Sequence, residues 1–109
     1  MDSEKASKTQ EAWITPTLLN GWVNNSGVIS RFKRDAMGVV WCELFINGGN
    51  TSSIIFNLPI GYRPSQSLFI TGNASGVVSQ IIILPGGDVV HSVGANTSLH
   101  RYVFNFRTN

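Results

Sequence analysis

Charge is scarce in this chain. Aspartate, glutamate, lysine and arginine together make up 13% of it, about half the share found in an average soluble domain. Little ionic material is therefore at hand to cover the surface. Either uncharged Ser, Thr and Asn solvate it, or another subunit covers part of it. The eight basic and six acidic residues leave a formal net charge of +2, and they are dispersed. The densest group, Arg31, Lys33 and Arg34, is followed directly by Asp35. Nucleic-acid binders gather Lys and Arg on one face with aromatics between them; that pattern is missing, which argues against a nucleic-acid partner.

Cysteine is almost absent. A single residue, Cys42, excludes an internal disulfide framework and a multi-cysteine metal site. It lies inside the apolar run Val39 to Ile46, where a buried, unreactive thiol is expected. No apolar run approaches the roughly 18 residues of a membrane span, so membrane insertion is not expected. The first residues, Met1 to Glu11, are polar and lack the apolar heart of a signal peptide. Asn-x-Ser/Thr triplets begin at Asn24, Asn50, Asn73 and Asn96; without a secretion signal they read as turns, not glycosylation sites.

Chemistry-bearing residues are equally sparse. The only histidines are His91 and His100, on different expected strands. Asp88 precedes His91 by three residues, an offset that on a strand points the two side chains to opposite faces. No metal site or other cofactor is implied. Nucleophilic catalysis needs a Ser or Cys with an oriented base, and neither a G-x-S-x-G elbow nor a well-placed Cys42 supplies one. Glycoside hydrolysis needs two carboxylates facing a sugar. Asp2, Glu4 and Glu11 fall in the polar start of the chain, leaving Asp35, Glu43 and Asp88, and Asp35 is accounted for by a turn. The chain is not expected to be an enzyme.

What is present is β-strand. Residues 1–12 form a polar leader or the end of a stalk, and residues 13–109 one domain. From Trp13 onward, short apolar runs alternate with Gly, Asn, Pro and Ser, with no helix-period stripe of useful length. Strands are expected at Val28–Arg34, Val39–Ile46, Ser53–Phe56, Ser67–Thr71, Val77–Leu84, Asp88–Val93 and Leu99–Phe106, with a short one near Trp13 or Trp22. Asp35-Ala36-Met37-Gly38 has the Asp-first, Gly-last preference of a type I turn. Asn47-Gly48-Gly49-Asn50 and Pro85-Gly86-Gly87-Asp88 supply glycine where positive φ is needed. Asn57 to Pro64 reads as a rigid crossover, since Pro59 and Pro64 fix φ and Gly61 allows a turn between them. Seven to eight strands in about 95 residues point to an antiparallel β-sandwich or jelly roll.

The alternation is irregular in an informative way. A strand with one wet face alternates apolar and polar residues, yet Val77 to Leu84 places apolar residues on both sides. In Val39 to Ile46, Trp41 and Phe45 oppose Val40, Leu44 and Ile46. In Tyr102 to Phe106, Val103 opposes Tyr102, Phe104 and Phe106. A sandwich has one interior per sheet, so the second apolar face needs a loop or another copy of the chain. A homo-oligomer is favoured.

Sugar sites pair an aromatic platform with polar hydrogen-bonding side chains. Trp13, Trp22, Trp41, Tyr62 and Tyr102 offer platforms, with core packing the alternative for each Trp. Asp88 and His91 begin one late strand and His100 and Arg101 the next. If these two strands pair, or meet across a subunit boundary, the four converge at a groove.

Several landmarks resemble the distal domains of bacteriophage tail-fibre and baseplate receptor-binding proteins, of the type found in phages of Gram-positive hosts. They are Trp13 with Leu19-Asn20-Gly21-Trp22, then Arg31-Phe32-Lys33-Arg34-Asp35 leading to Gly38-Val39-Val40. The longest is Ile55-Phe56-Asn57-Leu58-Pro59-Ile60-Gly61-Tyr62-Arg63-Pro64, similar to the family's LP-x-GYRP crossover. The resemblance implies a homotrimeric sandwich or jelly roll at a fibre or tail tip, in a virion assembled in the host cytoplasm. Its partners would be host cell-wall saccharide and, through the N-terminal end, other virion proteins. The saccharide would be held by Asp88, His91, His100, Arg101 and Trp41. A head-fibre or capsid decoration domain is the alternative, and a wall-degrading enzyme a third.

Overall fold

The structure is a computed structural model and describes residues 11–93 and 99–108. The expected leader thus lies outside the described residues except for Glu11 and Ala12. Eight antiparallel strands follow: β1 (Val23–Asn24), β2 (Arg31–Arg34), β3 (Val39–Asn47), β4 (Ile54–Asn57), β5 (Leu68–Ala74), β6 (Val77–Ile83), β7 (Asp88–Val93) and β8 (His100–Arg107). Their order across the sheet is β1-β3-β8-β5-β6-β7-β4, with β2 also on β3. No helix occurs among the described residues. The all-β antiparallel expectation holds. The two layers are halves of one curled sheet, joined where β5 meets β8 through the pairs Asn73–Arg101 and Ala74–His100.

The core fills the space between the halves. From β2, β3 and β8 come Phe32, Val40, Cys42, Leu44, Ile46, Tyr102 and Phe106; from the other half come Ile55, Phe56, Ile81, Ile83 and Val89. Phe32 stacks on Phe56 across the layers, with ring centres 5.9 Å apart. The face assignments made from alternation hold. Val40, Cys42, Leu44 and Ile46 are buried while Trp41 is exposed. Tyr102 and Phe106 are buried and Phe104 packs against the core, while Val103 is 69% exposed. Burial, and next the charge of Glu43, push the Cys42 thiol upward, so it stays protonated.

Two strands differ from expectation for identifiable reasons. The expected strand from Val28 begins only at Arg31. Ser30 is fully buried; its Oγ accepts the Phe45 amide at 3.0 Å and its own amide donates to Asn24 Oδ1 at 3.0 Å. Those side-chain bonds replace a rung of the ladder. The expected Ser67–Thr71 strand instead runs from Leu68 to Ala74. Gly72 reads as a breaker, yet it continues the strand because the Tyr102 ring lies where its Cβ would be. The hairpin then closes on Ser75 and Gly76, with φ of 55° and 89°, the positive pair that matches strand twist.

The turns behave as read. Gly38 N donates to Asp35 O at 3.1 Å, and Tyr62 N to Pro59 O at 3.0 Å with Gly61 at φ 96°. The crossover is anchored: Leu58 is buried and Arg63 Nε donates to its carbonyl at 2.8 Å.

The indole of Trp22 fills the open end of the core, 2% exposed, its Nε1 donating to Ser53 Oγ at 3.0 Å. A Cβ on Gly49 would overlap that ring. Gly49→Ala is therefore expected to cost about 1–3 kcal/mol, the usual penalty of overpacking. Thermal unfolding should show a fall of about 4–8 °C per kcal/mol for a domain of this size. An unchanged midpoint would show that Trp22 yields freely.

Candidate functional site

The inward set Val40, Cys42, Leu44 and Ile46 leaves Trp41, Glu43 and Phe45 pointing away from the core, because successive strand residues alternate faces. On β2 the same rule buries Phe32 and turns Arg31 and Lys33 outward. Register aligns these residues: Arg31 lies opposite Glu43 and Lys33 opposite Trp41. Arg31 Nε meets Glu43 Oε1 at 2.8 Å.

The segment before β1 crosses this surface. Ile14 bridges to Phe32, which carries Trp13 over the strand. The Arg31 guanidinium lies 4.1 Å and the Lys33 ammonium 4.7 Å from the centre of the Trp13 ring, both within cation–π range. Glu11 is pinned next to it. Its carboxylate accepts from the Tyr62 hydroxyl at 2.7 Å and from the Arg34 amide at 3.1 Å. Burial, then this bond to Glu11, raise the Tyr62 pKa above its ordinary value.

Trp41 and Trp13 both line a cleft of about 390 Å³, together with Glu11, Lys33, Arg34, Asp35 and Glu43. The Trp41 indole is 43% exposed, yet its orientation is fixed, for Nε1 donates to Asp35 Oδ2 at 2.9 Å. Asp35 Oδ1 accepts the Met37 and Val39 amides at 2.9 and 3.1 Å. These bonds, Trp41's foremost and then that of Val39, hold the Asp35 carboxyl below its usual range. The arrangement is two indoles at the walls of an open cleft with charged groups between them. It can stack an apolar ring face and hydrogen-bond its rim.

The residues expected from sequence are placed apart. Strands β7 and β8 are not neighbours, since β5 and β6 separate them in the sheet. His91 and His100 meet instead across the core, 3% and 0% exposed, with ring centres 5.3 Å apart. Each also packs on Trp22. His91 Nδ1 accepts the Ser52 amide at 3.1 Å, and His100 Nδ1 lies 3.2 Å from the Tyr102 hydroxyl. Asp88 sits half-buried at the start of β7 and accepts from Asn57 Nδ2 at 2.7 Å. Arg101 points outward on β8, over the Phe45 ring at 5.6 Å. Within one chain the four do not form one groove. Only Trp41 reaches the cleft. Its partners Trp13, Glu11 and Lys33 were missed as a group because Trp13 lies far from Trp41 in sequence and the Ile14–Phe32 bridge that brings it over β2 has no local signature. Among the described residues no group of His, Cys, Asp and Glu could hold a metal ion.

The fold has a solved counterpart. It is similar to the crystal structure of the receptor binding protein (gp15) of Listeria phage PSA, with a TM-score of 0.77 and 16% identity, over 99% of this chain and 71% of that one. No family model matches the chain, and no curated protein matches it.

Asp35→Ala is expected to release the Trp41 indole while leaving the fold intact, read as a change in near-ultraviolet circular dichroism with unchanged far-ultraviolet signal. In the wild type the Asp35 bond stabilises above the unfolded carboxyl value of 3.8 and is lost as pH falls through the lower folded value. The Trp41 signal should therefore persist to below pH 3.8. Its loss near pH 5 would contradict the assignment.

Proposed function

We propose that this chain is the receptor-binding domain of a phage of a Gram-positive host, which adheres to cell-surface saccharide through the cleft between Trp13 and Trp41. The observation that carries the reading is two outward indoles fixed on a strand face. Tryptophan costs free energy in water unless covered, and these two are held in place by Asp35 and by the Arg31 and Lys33 cations. A planar apolar wall beside hydrogen-bonding rims suits the apolar face and hydroxyl edge of a pyranose. The structural likeness to a phage receptor binding protein supports the same reading.

Binding is favoured over hydrolysis by the state of the carboxylates. Glu11 is engaged by Tyr62 and the Arg34 amide, Asp35 by Trp41, and Glu43 by Arg31. A glycosidase needs one carboxyl raised to act as an acid; Asp35 is shifted the other way. The rest of the reading follows the fibre-tip resemblance: a homotrimer carried on a virion, joined to other virion proteins through its N-terminal end. Because Glu11 and Trp13 lie at that end and also wall the cleft, attachment and recognition share one segment. Three weak sites on one tip would hold a repetitive wall more tightly than one.

Labelled protein should bind cells of the host and its purified wall polysaccharide. Trp41→Ala and Trp13→Ala should each remove about 1 kcal/mol per site, about a fivefold loss, and more where several sites act together. Full binding by the double variant would sink the assignment of the cleft.

A further inference from the structure

The opposite half of the sheet presents a second outward surface, and its character differs. Register places Phe69 on β5 opposite Ile82 on β6, Ile82 opposite Val90 on β7, and Val90 opposite Ile54 on β4. These four side chains form an apolar row across four strands, all on the face away from the core. Phe69 is 63% exposed, and Val78, four residues before Ile82 on the same side of β6, is 64% exposed. Between the edges of that face, Thr71, Asn73, Gln80 and Val93 also point outward and are uncharged. Asp88 and Arg101 stand only at the margins, the first beside Asn57 and the second opposite Asn73.

We infer that this outer face of β4, β7, β6 and β5 is the surface on which another copy of the same chain packs. It deepens the homotrimer of the proposed function by naming its interface, and rests on that reading for the number of chains alone. Two observations select a second copy as occupant. The first is size. Four strands about 4.8 Å apart, of four to seven residues, span roughly 19 by 20 Å. That is on the order of 400 Å² in projection, the size of the largest patches left on monomers, which are often functional. Side-chain relief brings it toward the roughly 800 Å² that each partner contributes to a standard interface.

The second is charge. A copy can cover this face without burying an ion, whereas the other layer turns Arg31, Lys33, Glu43, Arg101 and Arg107 outward, and stripping such groups of water is costly. A hydroxyl-rich saccharide fits the reverse arrangement, since the Phe69–Ile54 row offers it no donors or acceptors. The two faces thus divide the work: one for self-association, one for the ligand.

The test is light scattering of the full chain at tens of micromolar, comparing wild type, Phe69→Lys/Ile82→Lys and a control on the opposite layer, Val103→Lys. The wild type and the control should have a mass that is a multiple of 11.9 kDa. The double variant should fall to a single chain while keeping its far-ultraviolet spectrum and a cooperative melt. Should the double variant fail to fold, a thiol cross-linker decides the matter, because the native Cys42 is buried. It should join chains of Thr71→Cys and leave Asn105→Cys unjoined. A single-chain wild type, a multimer that survives the double substitution, or cross-linking through Asn105→Cys and not Thr71→Cys overturns the inference. Cell binding is read separately. A face-dependent multimer that ignores host cells upholds this interface and removes only the receptor reading.

Discussion

The strict two-residue period of β3 is the constraint on which everything else in this molecule hangs. Burying Val40, Cys42, Leu44 and Ile46 leaves no choice about Trp41, Glu43 and Phe45. A slip of one residue against β2 or β8 would send the core residues outward and the indole inward. Because β3 pairs with β8 over eight consecutive rungs, from Val39–Arg107 to Ile46–His100, its register is heavily specified. The outward face is therefore as well determined as the core, although nothing packs on much of it.

Strand positions and turns were legible because they rest on local physics: alternation, Asp-first turns, and glycines where φ is positive. Gly38, Gly61 and Gly87 all take the positive φ for which glycine is suited. The misreadings came where a tertiary partner overrides the local rule. Gly72 sits in mid-strand since Tyr102 claims its side-chain space, and Ser30 swaps a ladder bond for two side-chain bonds.

The candidate site was less legible, and the reason is topological. The sequence left open whether β7 and β8 pair or meet across a subunit boundary, either of which would gather Asp88, His91, His100 and Arg101. In the curled sheet those strands face each other across the core instead of sharing an edge. The histidines, one on the buried side of each strand, become core residues around Trp22, while Arg101, one position on, points to solvent. The alternation that correctly sorted β3 would have sorted His100 from Arg101 too. Trp13 was visible as a platform, but its pairing with Trp41 depends on the Ile14–Phe32 bridge, a contact with no local signature.

The scarcity of charge fits this arrangement. Of the six acidic side chains in the chain, Glu11, Asp35 and Glu43 all line the one cleft, and Lys33 and Arg34 join them there. Five charged side chains thus stand where a polar ligand can meet them, and none lies within the row formed by Ile54, Val90, Ile82 and Phe69. Scattering charge evenly would have favoured a solitary soluble domain. Concentrating it on one side leaves the other side with Asp88 at its margin and, between the edges, little more than Thr71, Asn73 and Gln80 to hold water across a sheet four strands wide. A surface of that kind persists in solution when it is covered, and its neutral centre makes its own copy a partner that it can accept without burying an ion.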